Sequence, residues 1–249
     1  MNQQPLDILA FGAHPDDAEI GCGGSLALKS KQGYRVAIAD LTEGEKASRG
    51  NVSTRKEEKQ RATQILGLHA RYSLNFPDTQ IERNPSERLP IIELIRQTRP
   101  KIVLAPYWED RHPDHVATSI LVKEACFLAG VRTIGKGEPY RPSFLYFYMA
   151  HFPFSPSFVI DVSSVWSQRM EALHAYSSQF SPEMNDNNQT ALTSGNFLRF
   201  IEARAIYFGA MISANYGEPF FSIGPLAIGN FPALDLDKSL NIAFSPYLT

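Results

Sequence analysis

The chain has 249 residues, 43% of them apolar, and a formal net charge of −2. That is enough apolar material for a sizeable core and suits one large α/β domain. The near-neutral balance gives no support for a nucleic-acid or polyanion partner, and no apolar run is long enough to span a membrane.

The N-terminus, Met1-Asn2-Gln3-Gln4-Pro5, lacks the basic region of a signal peptide. Cys22 and Cys126 are the only cysteines and lie far apart in helix-like surroundings. They read as free buried thiols, and the expected location is the cytoplasm.

Residues 6–13 read as a central strand, apolar on both faces apart from Asp7. Gly12-Ala13-His14-Pro15-Asp16-Asp17 is a turn, and Glu19 to about Lys31 is a helix whose small residues, Gly21 to Ser25, permit close packing on a sheet. Arg35–Thr42 is a second strand. Glu43–Ser53 is a polar loop and a candidate lid, with Gly44 and Gly50 as hinges. Thr54-Arg55-Lys56-Glu57 resembles a capping box that opens a helix to Leu66, with Gly67 as its stop.

Tyr72–Phe76 is a third strand, broken by Pro77-Asp78, and Glu87–Thr98 a helix. Lys101–Tyr107 is the fourth strand, followed by His112-Pro113-Asp114-His115 and a helix from His115 to Ala129. Beyond Gly130 the pattern weakens. Phe144–Met149 and Phe158–Val162 read as strands, Val165–Tyr176 and Asn196–Ala214 as helices, and Ser181–Gln189 as a polar loop. The Phe-, Pro- and Gly-rich tail would close one side of a site or form a subunit contact.

This alternation predicts a Rossmann-like, mostly parallel sheet with helices on both faces and a C-terminal α+β extension. The expected organisation is a single domain over 1–249. Residues 1–130 form its core and 131–249 complete the site and subunit contacts. With strand order 3-2-1-4, the first and fourth strands flank the switch point beyond whose carboxyl ends ligands bind. The two polar turns then face each other.

Their residue types suit a catalytic metal ion with three protein ligands and an open position. His14 and Asp17 lie three apart on a turn entering a helix, and His115 would complete a two-His, one-carboxylate set. Asp16 is placed as a general base. His112, as an imidazolium, would stabilise an oxyanion, and Asp114 would orient one of the histidines. Iron(II) suits such a set as zinc does. Taken singly, each turn is also what an ordinary helix N-terminus looks like, since Asp is favoured there. A dinucleotide site is disfavoured. The G-x-G-x-x-G fingerprint is absent, and carboxylates stand where a phosphate would need bare N–H groups.

His14-Pro15-Asp16-Asp17 with Glu19-Ile20-Gly21 and Gly23-Gly24, and His112-Pro113-Asp114-His115, resemble the paired motifs of the LmbE-like, or PIG-L, N-acetylglucosamine deacetylases. Within that family, Pro106–His115 and Gly130-Val131 most resemble the bacillithiol-pathway enzymes. The resemblance implies zinc on His14, Asp17 and His115, Asp16 as base, His112 beside the oxyanion and Asp114 supporting it. It also implies Arg55 as a substrate contact, an N-acetylglucosaminide substrate, in particular N-acetylglucosaminyl malate, and a homo-oligomer. Asp110 stands where some relatives carry a Tyr, which puts a Tyr-assisted step there in doubt. Arg111, with Glu109, flanks the second motif and would meet a charged part of the substrate. His151 is a candidate for the pocket wall, while His69 reads as a surface residue and His174 as structural. The competing readings are the same catalyst on another N-acetyl sugar, and a non-catalytic metal- or sugar-binding protein.

Overall fold

The computed structural model describes residues 4–181, 192 and 196–226. Among them no helix is long and apolar enough to cross a membrane. The first strand, β1 (Ile8–Gly12), is buried throughout. It pairs in parallel with β2 (Val36–Asp40) on one side and β4 (Ile102–Pro106) on the other. β3 (Ala70–Ser73) extends the sheet beyond β2, and β5 (Phe144–Tyr148) extends it beyond β4, again in parallel. β7 (Gly217–Ser222) then runs antiparallel between β5 and β6 (Phe158–Asp161). The order is β3-β2-β1-β4-β5-β7-β6, so the expected 3-2-1-4 arrangement and its switch point are present.

Side chains alternate across the strands, and the two faces build two cores. Ala10, Ile38 and Leu104 pack under α1 (Asp17–Lys31), α2 (Val52–Ile65), α5 (Trp166–His174) and α6 (Asn196–Met211). Phe11, Ala39 and Val103 pack under α3 (Pro85–Thr98) and α4 (Pro113–Leu128). Both cysteines are free and buried.

Four local expectations change. The second helix is capped by Asn51, whose side chain accepts the Thr54 N–H at 2.9 Å, so Thr54 lies inside the helix instead of capping it. The third strand lies earlier than Tyr72–Phe76. After Ser73 the chain keeps only single bonds to the β2 side, from Leu74 N–H to Asp40 O and Phe76 N–H to Leu41 O. The Val165–Tyr176 helix is shorter, a 3₁₀ turn at Ser163–Val165 followed by α5. Finally, β7 was hidden in a stretch containing Pro219. That proline pairs with Val159 of β6, while the β5 ladder begins only at Phe220, so it costs no bond on that side. The Ser181–Gln189 loop, apart from Ser181, and the tail after Leu226 lie outside the described residues.

The first helix is broken at Cys22, whose φ of −147° and ψ of 16° are not helical. The break orphans backbone groups, and the later half of the chain supplies their partners. Ile20 O accepts from Arg169 Nη2 at 2.7 Å and Arg204 Nη2 at 2.8 Å. The Gly24 and Ser25 N–H groups donate to the Glu218 carboxylate at 2.8 and 2.7 Å. A β-carbon on Gly24 would lie 2.9 Å from Glu218 Oε1, so the carboxylate can approach only a glycine.

Candidate active site

Both polar turns open on one cavity of about 340 Å³ at the carboxyl ends of β1 and β4, the place expected of a ligand site in this topology. His14 leaves β1 at the turn, and its N–H donates to Asp17 Oδ2 at 2.8 Å. Asp16 is the N-cap of α1 with φ 118°, a left-handed conformation that non-glycine residues rarely adopt and that concentrates at functional sites. On the other side His112 caps α4, and Asp114 and His115 occupy its first turn.

The imidazoles are held in a way that decides which nitrogen faces the cavity. His14 Nε2 lies 3.0 Å from Asp78 Oδ1 and 3.3 Å from Asp114 Oδ2. His115 Nδ1 lies 3.0 Å from Asp110 Oδ1. The opposite nitrogens converge on Asp17: His14 Nδ1 is 3.3 Å from its Oδ2, and His115 Nε2 is 3.1 Å from its Oδ1. Metal-ligating histidines commonly give one nitrogen to a carboxylate and the other to the ion; here His14 Nε2 hydrogen-bonds Asp114, while His115 Nδ1 lies beside Asp110 without hydrogen-bond geometry. His14, Asp17 and His115 thus have the donor chemistry a zinc or iron(II) ion needs. Among the described residues three groups bring their donor atoms close together: His14, His112 and His115; Asp110, His115 and His151; and His14, Asp78 and Asp114.

The electrostatics of the groups follow from these contacts. Burial opposes a charged His14, but Asp114, Asp17 and Asp78 carry its pKa well above the ordinary value. Burial likewise opposes a charged His115, while Asp17 and Asp110 raise it to about 9. Asp17 is buried too, yet His115 and His14 hold its carboxyl well below the usual range. Asp16 behaves oppositely. Burial pushes it up to about 7, against the attraction of Arg55 and with Asp17 adding repulsion.

Each residue singled out in the sequence can now be placed. His14, Asp16, Asp17, His112 and His115 line one cavity. Asp114 backs it, with its carboxylate on His14; only its N–H reaches His112, donating to Nδ1 at 3.2 Å. That bond leaves the ring proton of His112 on Nε2. Burial and the charges of His14 and His115 lower its pKa, which disfavours the charged form of the ring.

Arg55 lines the cavity but is only 2% exposed. Its guanidinium contacts Asp16 Oδ2 at 3.2 Å and donates to Pro15 O. Arg111 is exposed at the cavity mouth. His151 does line the wall. It stacks on His115 with ring centroids 5.2 Å apart, and its Nδ1 lies 3.0 Å from Asp110 Oδ1. Residues 44 and 46–49 of the proposed lid also line the cavity. Sequence reasoning missed Asp78 and the role of Asp110. Both follow strands whose ends point at the same crevice, which was the available signal.

Fold and site together define an α/β protein with a histidine–carboxylate centre at its switch point. Comparison with known proteins gives the class a family. A family model for GlcNAc-PI de-N-acetylase, PIG-L, matches residues 9–126. The diacetylchitobiose deacetylase of Thermococcus kodakarensis is 30% identical over 227 residues, covering 85% of this chain and 80% of that protein. The 4-oxalmesaconate hydratase of Pseudomonas putida is 24% identical over 203 residues, 72% of this chain and 76% of that one. Among solved structures, the conserved protein TT1542 from Thermus thermophilus superposes with a TM-score of 0.83 at 39% identity, covering 90% of this chain and 97% of that chain. The chain belongs to the PIG-L, or LmbE-like, family.

Proposed function

We propose that this protein is a metal-dependent hydrolase that removes the acetyl group from an N-acetylglucosaminyl compound, releasing acetate and a free amine. The observation that carries the reading is the convergence of His14 Nδ1 and His115 Nε2 on the two oxygens of Asp17, with their other nitrogens held by carboxylates. A zinc ion held by His14, Asp17 and His115 would supply Lewis acidity toward the amide carbonyl and toward water.

The protein's own groups do the rest. Asp16, beside the ligands and with a pKa near neutrality, takes the proton of the attacking water and returns it to the leaving nitrogen. Arg55 favours the ionised form of Asp16 against the effect of burial and aims it. The Nε2–H of His112 donates to the oxygen on which negative charge develops.

The substrate bound at the mouth meets Arg111 and Lys46. Arg55 is committed to Asp16, so these exposed cations are the better partners for an anionic aglycone. N-acetylglucosaminyl malate is the preferred substrate on this reading, with di-N-acetylchitobiose and other N-acetyl sugars as the alternative. The relative named a hydratase supports a second chemistry, in which the same base adds water to a carbon–carbon double bond.

The test is amine release from N-acetylglucosaminyl malate, N-acetylglucosamine and di-N-acetylchitobiose by chelator-treated protein, with and without added zinc. Zinc-dependent release from the malate compound above the others supports the full reading. Release only from the other sugars retains the catalyst and discards the aglycone. No release from any, with metal bound, overturns the deacetylase reading.

A further inference from the structure

Asp78 joins two parts of the molecule that the site needs to move together. It is 4% exposed and follows β3 at the edge of the cavity. One carboxylate oxygen, Oδ1, lies on His14 Nε2 at 3.0 Å. The other, Oδ2, accepts the N–H of Lys46 at 2.8 Å. The backbone answers in kind, since the Asp78 N–H donates to Glu45 Oε1 at 2.7 Å. Residues 44 and 46–49 line the cavity, so this reciprocal pair ties the segment over the pocket to the ring of a ligand histidine.

The next residue strengthens the tie. Thr79 has φ 65°, an outlying conformation for a β-branched side chain, and its N–H donates to Asp114 Oδ2 at 2.8 Å. Asp114 is the second carboxylate on His14 Nε2. Residues 78 and 79 therefore supply one of the carboxylates that orient His14 and fix the other.

We propose that Asp78 is a positioning residue that latches the 44–49 segment to His14, so that closing this segment and binding metal favour one another. The inference rests on His14 being a metal ligand. A displacement of the segment that withdraws the Lys46 N–H removes one of the backbone donors that hold the Asp78 carboxylate against the ring. Coupling of this kind is reciprocal: metal in the site protects the segment, and a fixed segment tightens the metal.

Asp78→Asn separates the two duties. An amide has one acceptor oxygen, so it can serve His14 or the Lys46 N–H but not both. Glu45→Ala loosens the segment from outside while leaving the carboxylate of residue 78 intact. Both variants and the wild type are titrated with Co2+, followed by its visible absorption, and the exchange rate of the Lys46 amide is measured with and without the ion. The wild type is expected to bind Co2+ and to slow that amide when it does. In Asp78→Asn the affinity falls about 10- to 100-fold, the range for carboxylates that orient metal ligands, and the Lys46 amide exchanges faster. Glu45→Ala gives faster exchange and a smaller loss of affinity. Unchanged Co2+ affinity in Asp78→Asn, or a Lys46 amide indifferent to the ion in the wild type, overturns the latch alone. A wild type that takes up no Co2+ overturns the reading of the site, and the latch with it.

Discussion

The first helix carries buried charge in two places, at its N-terminal turn and at its break, and the two are built on opposite plans. At the break, Glu218, Arg169 and Arg204 are each directed at backbone groups left without partners around Cys22. Protein charge meets protein dipole there, and Arg169 Nε also lies 2.9 Å from Glu218 Oε1 as a buried ion pair. At the turn, the carboxylates of Asp16, Asp17, Asp78, Asp110 and Asp114 surround Arg55 and the ring nitrogens of His14 and His115. The carboxylates favour protonated histidines, pushing the pKa of each up against the effect of burial. Buried charge is expensive unless paired. A cluster that pairs by taking up protons from solvent is one that a cation can enter by displacing them. The difference separates a structural network from a site, although both use the same residue types at the same depth.

The sharpest way to break this contrast is to neutralise one carboxylate on each side. Asp16→Asn is expected to lower kcat by about 10²- to 10⁴-fold, the usual yield of a positioned base, with Co2+ or Zn2+ content unchanged. Turnover near the wild-type level would remove Asp16 from the chemistry. In the wild type the base must be unprotonated, so kcat/KM should fall as pH drops below about 7, and the limb should lie lower still with metal bound. Glu218→Ala acts at the break and should cost about 3–5 kcal/mol, the penalty for stranding one partner of a buried pair. Urea melts would register this, while the folded fraction keeps its activity per bound metal. A loss of activity out of proportion to the folded fraction would mean that the break belongs to the site after all.

Stability against pH separates the two plans without mutation. His14 and His115 have folded pKa values above the unfolded one, so their contribution is present below about pH 6.5. It is lost as pH rises through about 9 for His115. Asp16, also raised, works in the same direction, its contribution fading as pH rises through about 7. Asp17, Asp78, Asp110 and Asp114 are depressed, so their contributions hold above the ordinary carboxylate range and vanish only in acid. Chelator-treated protein should therefore melt at progressively lower temperature from about pH 6.5 to pH 9. The increment in Tm from added Zn2+ should grow over the same interval, because the ion needs the rings deprotonated. A metal-free Tm that is flat across this interval would mean that the histidines are not charged in the free protein.

What could be read from the chain follows the same division. Strand order, the switch point and the motif residues were legible because each motif is short, and a strand end fixes where it points. His14, Asp16 and Asp17 lie within one turn, as do His112, Asp114 and His115. Asp78 carried only the signal of a Pro-Asp stop, and Asp110 that of a position where relatives differ. Their meaning depends on which ring nitrogen each one meets across the crevice. Glu218 was less legible still. It sits 194 positions from Gly24, in a strand disguised by Pro219, and its task exists only because α1 breaks.

The smallest expected effect brings this to a single pair of helix starts. Asn51 and Glu218 do the same work, accepting N–H groups that a helix beginning leaves free. Asn51 does it locally and at an exposed position, where water offers the alternative; Glu218 does it from a distant strand in the core. Removing the local cap should cost only about 1 kcal/mol. Asn51→Ala should therefore lower stability by about that amount, several-fold less than Glu218→Ala. Thr54→Ala, at the residue the sequence pattern nominated, should cost less again, since its hydroxyl merely leans on Asn51 Oδ1 at 3.3 Å. Equal losses for Asn51→Ala and Thr54→Ala would restore the capping box. A Glu218→Ala loss no greater than that of Asn51→Ala would show that water reaches the break, and that the contrast between the two ends of the first helix is one of position alone.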